Sequence, residues 1–419
     1  MLLSSLKIRD FFLICLLQLA AILPVFAKDS VTIQRQLYLP AAGEDAAQWC
    51  SVSYWDEGLT RIETHRTSAE SDAYLDFKQR FSSDNGKTWK PFENLPKVVQ
   101  ELPGGGMVTY PGNYFYDSTL KIRYQIRMRR LWPGLPAYTY NWGGEHPFVD
   151  FTFVLENGRE KQMKYESGQD YNAATQFDST YCAFNRAYWG TNLGIAKDGS
   201  AYFPMVCYRH GNEYSFSKGG VVLMRRDPAT GNWSASNQIY IEPELSSRGL
   251  LEPAVAILKN GVILIVCRGS NTETTPGRKW FSISTDGGKT LSPICEFKYH
   301  DGTSFYSPSS IHDFIRSSRN GKLYWLANIV PNPPKGNSPR YPLVIVEIDE
   351  ENIGVKKGSE IIIEDRRDNE PERIQFSNFS LLENRETFDF EIYVTRLGEN
   401  AEHSWQAPVY RYIFSPPGL

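Results

Sequence analysis

The sequence predicts an all-β protein. Two observations carry that prediction. No segment sustains a 3.6-residue apolar period, and many short β-rich runs are separated by turn signals. In chain order the runs are 31–39, 73–81, 122–128, 148–155, 220–225, 254–258, 262–267, 322–327, 343–348, 388–395 and 409–414. The first is Val-Thr-Ile-Gln-Arg-Gln-Leu-Tyr-Leu, an alternating strand. The pair 254–258 and 262–267 flanks Asn260-Gly261, a hairpin turn that takes positive φ. Asn157-Gly158, Asp198-Gly199, Asp301-Gly302 and Asn320-Gly321 punctuate the chain in the same way.

Two of the turns repeat one pattern. Ser82-Ser83-Asp84-Asn85-Gly86-Lys87-Thr88-Trp89 and Ser284-Thr285-Asp286-Gly287-Gly288-Lys289-Thr290-Leu291 both read S-x-D-x-G-x-T-[W/L]. The Asp can accept local backbone N–H groups, Gly supplies positive φ, and the Ser and Thr hydroxyls close the loop. The segment 224–233, with Asp227 and Trp233, reads as a degenerate third copy. Each follows a strand. The pattern resembles the Asp box (BNR repeat) of sialidase-like β-propellers, and it implies a propeller of six blades. Such boxes are fold elements and carry no chemistry. The terminal runs 31–39 and 409–414 are placed to pair and close the ring.

The chain has 45 Lys+Arg against 48 Asp+Glu over 419 residues, a formal charge of −3. That leaves no electrostatic footprint for nucleic acid and no membrane partner. Lys7 and Arg9 precede an apolar run, and Val25-Phe26-Ala27 supplies small residues at a cleavage point. We therefore expect a signal peptide over 1–27, one domain over 28–419, and a secreted or periplasmic protein. After that point the cysteines are Cys50, Cys182, Cys207, Cys267 and Cys295, with no C-x-x-C pair. Neither a disulfide framework nor a zinc site is expected. Six His, with no two at ligand spacing, disfavour a metal hydrolase. No cofactor is expected.

Four segments resemble the sialidase family. Arg66-Thr67-Ser68-Ala69-Glu70-Ser71-Asp72 stands where the family has an active-site Arg and a loop Asp. The resemblance makes Asp72 the general acid, a carboxyl that must be shielded to donate a proton. The run from Leu251-Glu252-Pro253 through Asn260-Gly261 to Cys267-Arg268 has the family form of Glu, strand, turn, strand and Arg. Glu252 becomes the second carboxylate and Arg268 a carboxylate grip. Arg340-Tyr341-Pro342, after the segment 325–331, resembles the source of another grip arginine. The segment 374–382 resembles the family's Tyr-Ser-x-Leu segment.

The departures matter as much. Phe376 stands in the place of the nucleophilic Tyr and has no hydroxyl. The family's Arg-Ile-Pro is missing: Gln48-Trp49-Cys50 occupies its place, and Arg61-Ile62-Glu63 comes too late. These losses point away from a plain sialidase and toward a relative acting on another sugar. Glu145 and His146, in a Gly-rich turn at 142–150, are a candidate substrate-gripping or acid/base pair. Asn185-Arg186-Ala187-Tyr188-Trp189-Gly190 and His312-Asp313 are polar–aromatic clusters that suit a pyranose or a core.

The resulting expectation is a secreted exo-glycoside hydrolase with a carbohydrate substrate bearing a terminal acidic sugar. Asp72 and Glu252 would be catalytic. Arg66, Arg268, Arg340, Tyr341, Glu145 and His146 would bind substrate. With Phe376 in the nucleophile's place, either Glu252 activates water or another Tyr, such as Tyr341, attacks. Two alternatives stay open: a propeller polysaccharide lyase, and a non-catalytic glycan-binding propeller.

Overall fold

A computed structural model of the chain describes residues 31–44, 46–70, 73–96, 98–139, 148–168, 170–208 and 219–417, with main chain only at 69, 70, 73 and 75. The expected signal segment 1–27 lies outside them. The described residues form six antiparallel sheets arranged as the blades of a propeller. Blade 1 is Ala47–Tyr54, Arg61–Glu70, Ala73–Ser82 and Glu93–Leu95. In blade 2 the interrupted inner strand Gly105–Tyr110 and Tyr114–Asp117 pairs with Ile122–Pro133, followed by Val149–Glu156 and Arg159–Gln162. Blade 3 runs Ala187–Trp189 with Gly194–Ile195, then Ala201–Tyr208, Gly219–Arg226 and Trp233–Ala235. Blade 4 is Leu251–Ile257, Ile263–Arg268, Lys279–Ser284 and Cys295–Glu296. Blade 5 begins with Asp313–Arg316, Leu323–Asn328 and Leu343–Asp349. Blade 6 is Gln375–Glu383, Phe390–Leu397 and Val409–Phe414, and its fourth strand is the N-terminal Gln34–Leu39. The two ends of the chain therefore close the ring, with Gln34 opposite Ile413.

The core is a set of layers between blades. Val266 and Ala256 of blade 4 pack on Trp325 and Val346 of blade 5. Tyr124 and Ile126 of blade 2 pack on Phe203 and Met205 of blade 3. Leu223 and Ile265 join blades 3 and 4, and Leu326 and Phe376 join blades 5 and 6. The second strands of blades 3, 4 and 5 bury both faces, so their sequences are nearly continuous apolar runs. Ile263–Arg268, buried throughout, is the clearest example.

The two S-x-D-x-G-x-T turns have one hydrogen-bond plan. Asp84 Oδ1 accepts from Thr88 N at 2.8 Å, and Asp286 Oδ1 from Thr290 N at 3.0 Å. The threonine hydroxyls donate to the other carboxylate oxygen at 2.6 and 2.7 Å. Ser82 Oγ and Ser284 Oγ accept from Gly86 N and Gly288 N at 2.8 and 2.9 Å. Both glycines need positive φ, +81° and +85°. A Cβ at Gly288 would come within 2.8 Å of Tyr202 in the neighbouring blade, so close blade packing also demands glycine. The 227–233 turn lies at the same place, between the third and fourth strands of blade 3, with Asp227 Oδ1 accepting from Thr230 N at 2.9 Å.

The seam between blades 6 and 1 is held by buried charge. Arg61 donates to both oxygens of Glu391, at 2.9 and 3.1 Å, and to Asn85 Oδ1 at 2.8 Å. Arg61 and Glu391 are both 0% exposed. Arg411 adds a second cation at 2.8 Å. Burial alone would raise the Glu391 carboxyl, but the hydrogen bonds and charge of Arg61 and Arg411 hold it down at about 2. Glu391→Gln leaves Arg61 buried without its charge partner and should destabilise the protein by about 3–5 kcal/mol. Urea unfolding of both forms checks this. The difference should be full above the ordinary carboxylate pKa and vanish as the pH falls toward 2, because the wild-type carboxyl is then protonated too.

Candidate active site

Strand direction decides where the site forms. In each blade the innermost strand starts, the second strand ends and the third strand starts on the same face of the ring. Glu252 begins the innermost strand of blade 4, and Arg268 ends the second. Met128 and Arg130 come near the end of the second strand of blade 2, and Asp150 is at the start of the third. Side chains from these ends meet in a pocket of about 480 Å³ on that face. The repeated turns join third to fourth strands and so lie on the opposite face. They do not line the pocket.

Four of the residues singled out from sequence converge there: Arg66, Glu252, Arg268 and Arg340. Arg268 Nη1 donates to Glu252 Oε2 at 2.5 Å. Its Nε donates to Ser309 Oγ at 2.7 Å and its Nη2 to Asn337 Oδ1 at 3.2 Å. Arg340 donates to Gln375 Oε1 at 2.8 Å and to the Ser309 carbonyl at 2.7 Å. Arg248 donates to the same Asn337 oxygen at 3.4 Å. Arg66 lies over the Tyr74 ring at 4.5 Å, beside Trp49, whose Nε1 donates to Ser68 Oγ at 2.9 Å.

Glu252 sits at φ +37°, unusual for a residue with a side chain, at a bulge between Leu251 and Ala254. The bulge turns the carboxylate into the pocket, leaving its side chain 28% exposed. Burial pushes the Glu252 carboxyl up. The guanidiniums of Arg268, Arg340 and Arg248 outweigh that and hold it below the usual range. Glu252 is therefore an anion at neutral pH and cannot serve as a proton donor.

Arg130 and Asp150, directly opposite in the blade 2 sheet, form a two-pronged pair at 2.7 and 2.9 Å beneath Phe148. Arg186 faces the Tyr208 ring, whose neighbour is Tyr188 at 6.4 Å. Burial pushes the Tyr188 phenol well up, and nearby Tyr208 and Glu252 push the same way. Among the described lining residues are six arginines, at 66, 130, 186, 248, 268 and 340, against two carboxylates, Asp150 and Glu252. Among the described residues, cations therefore outnumber anions in the lining.

Tyr341 is not brought to the pocket. Its ring packs on the layer between blades 5 and 6, beneath Arg366, because the chain is extended there and successive side chains point to opposite sides. Phe376 is likewise 0% exposed in that layer, with Arg396 over its ring at 4.8 Å, while its neighbours Gln375 and Ser377 line the pocket. Asp72, Glu145 and His146 lie outside the described residues. His312 is buried and accepts from Trp325 Nε1 at 3.1 Å, so it is a core residue. Its neighbour Asp313, on the innermost strand of blade 5, is pushed up to about 7 by burial. Among the described residues no group of His, Cys, Asp or Glu is placed to hold a metal ion.

Sequence reasoning did not single out Arg130, Asp150 or Arg248, and it took Arg186 and Tyr188 only as part of a cluster. None has a local pattern; each is one residue at a strand end or in a loop.

No family profile matches the chain, and no curated protein is similar to it in sequence. Solved structures share its fold. A protein of unknown function from Dyadobacter fermentans superposes with a TM-score of 0.60 at 13% identity, over 92% of this chain and 99% of that one. NanB sialidase from Streptococcus pneumoniae gives 0.54 at 14% identity, over 91% and 70%. The intramolecular trans-sialidase from Ruminococcus gnavus gives 0.54 at 12% identity, over 90% and 97%.

The charge balance makes one measurement decisive for Glu252. Its carboxyl should titrate below the free glutamate value of about 4.3 in a ¹³C NMR titration. Arg268→Ala removes one cation and keeps the burial, so the midpoint should rise by at least about one unit. A midpoint that does not move would mean that Arg268 is not what holds Glu252 ionised. The fold in which this pocket is set is the six-bladed β-propeller of the sialidase type.

Proposed function

We propose that the pocket is the site of an exo-acting glycoside hydrolase for a glycan ending in an acidic sugar. One observation carries the reading: Arg248, Arg268 and Arg340 crowd around the carboxylate of Glu252, and Ser309, Asn337 and Gln375 supply them with neutral acceptors. Neutral acceptors fix a guanidinium without cancelling its charge, so the cluster keeps attraction for an anion. Trp49, Trp405, Phe148 and Tyr208 offer ring faces for a pyranose. Two of the fold neighbours were themselves solved with ligands that bear an anionic group, an ammonioethanesulfonate and oseltamivir carboxylate.

In this reading Arg268 and Arg340, with Arg66, grip the sugar carboxylate. Glu252 takes the proton of a water that attacks the anomeric carbon. The electrons of the glycosidic bond pass to the leaving oxygen, which takes a proton from Asp72. A substrate carboxylate entering the cluster offsets part of the arginine charge and so makes Glu252 a better base when substrate is bound. The burial of Phe376 supports direct attack by water, since that strand offers no phenol to the pocket. The product anomer would then be inverted.

A second reading has its own observation. Tyr188 stands among Glu252, Arg268 and Arg248, as the base of a uronate lyase would. Its raised pKa works against that role.

A panel of oligosaccharides ending in sialic acid, glucuronic acid or galacturonic acid, with products read by mass and proton NMR, tests the proposal. Release of an intact acidic monosaccharide as the inverted anomer is expected. Glu252→Gln should lower kcat by at least about 100-fold. Phe376→Tyr should leave turnover unchanged, since the added hydroxyl would enter the layer between blades. Retention would replace water by a phenol such as Tyr188. An unsaturated product absorbing in the ultraviolet would replace hydrolysis by elimination, and no turnover of any acidic substrate would end the enzyme reading.

A further inference from the structure

Two arginines of the anion grip, Arg268 and Arg340, share an anchor. Arg268 comes from the end of a blade 4 strand and Arg340 from the loop between the second and third strands of blade 5. Both end on Ser309, in the connection between the blades. Arg268 Nε donates to Ser309 Oγ at 2.7 Å, and Arg340 Nη2 donates to Ser309 O at 2.7 Å. Ser309 is 0% exposed and is held on every side. Ser270 Oγ donates to its hydroxyl at 2.8 Å, and its N–H donates to Gly336 O at 3.0 Å. Beneath it, the fully buried Lys279 Nζ donates to the carbonyls on either side, Pro308 at 3.3 Å and Ser310 at 2.5 Å.

We infer that Ser309 is the positioning residue that sets the spacing of the two guanidiniums, and through it the selectivity of the pocket for a carboxylate. Two arginines on different blades would otherwise take their separation from two independent loops. Here it is set by two oxygens of one residue, whose geometry is covalent. The arrangement also divides the roles. The hydroxyl serves Arg268 and the main-chain carbonyl serves Arg340, so a side-chain change removes the Nε bond of Arg268 and leaves the bond of Arg340. Lys279 keeps the segment from shifting, since its Nζ bridges two carbonyls across Ser309. This inference rests on reading the pocket as an anion site.

Two measurements separate the inference from that reading. The first needs no ligand: the Arg268 Nε–H is followed by side-chain NMR, its peak assigned by its loss in Arg268→Lys. It should exchange slowly in the wild type and exchange fast in Ser309→Ala. Fast exchange in the wild type overturns the inference, whether or not the variant folds. The second is binding of glucuronate and N-acetylneuraminate. Ser309→Ala should weaken the acid that the wild type binds by about tenfold. On an Arg268→Lys background, which lacks the Nε–H, the same change should add nothing. An equal loss on both backgrounds makes Ser309 a general structural residue and overturns the inference. If the wild type binds neither acid, the acidic-sugar reading falls, and the exchange measurement still decides the role of Ser309.

Discussion

Arg268 is 7% exposed, and its one charged partner is Glu252, which it shares with Arg340 and Arg248. Keeping several guanidiniums partly dry around one carboxylate is unfavourable unless every N–H group finds an acceptor. Ser309, Asn337 and Gln375 supply neutral acceptors to Arg268 and Arg340, while the charge of the three guanidiniums keeps Glu252 ionised. The seam between blades 6 and 1 uses the opposite solution. There Arg61 receives both oxygens of Glu391, and nothing is left over for a ligand.

The ring makes the cluster possible. Each blade buries its strands against the next, so its stability is spent laterally and the strand ends on one face are free to carry polar groups. Antiparallel order sends the start of every innermost strand and the end of every second strand to that face. Residues far apart in the chain, such as Trp49, Glu252 and Gln375, therefore meet without any loop having to travel. The repeated turns serve this architecture from the opposite face. Their glycines permit contact between blades, and their carboxylates are consumed by their own loops.

Much of the fold was legible because its signals are local. The box turns, the Asn-Gly hairpins and the two terminal strands that pair are all short patterns with one conformational solution. The innermost strands were harder to read. Ala47–Tyr54 and Gln375–Glu383 mix polar with apolar residues, which breaks the apolar run that marks the second strands of blades 4 and 5. The site was legible where a family pattern extends over a hairpin, as from Glu252 to Arg268. It was not legible at Arg130, Arg248 or Ser309, whose roles exist only once distant strands are brought side by side. Tyr341 was misplaced for a simpler reason. It adjoins Arg340, and in an extended segment adjacent side chains face opposite ways.

The central claim is that the arginine cluster around Glu252 attracts an anionic ligand. The direct test is calorimetric titration of the protein with glucuronic acid and with glucuronamide, which has the same shape and no charge. The account predicts that the acid binds at least about 100-fold more tightly, since a doubly hydrogen-bonded carboxylate is worth about 3 kcal/mol more than its neutral counterpart, and that the difference shrinks as salt is raised. Equal affinity for the two, or tighter binding of the amide, would contradict it.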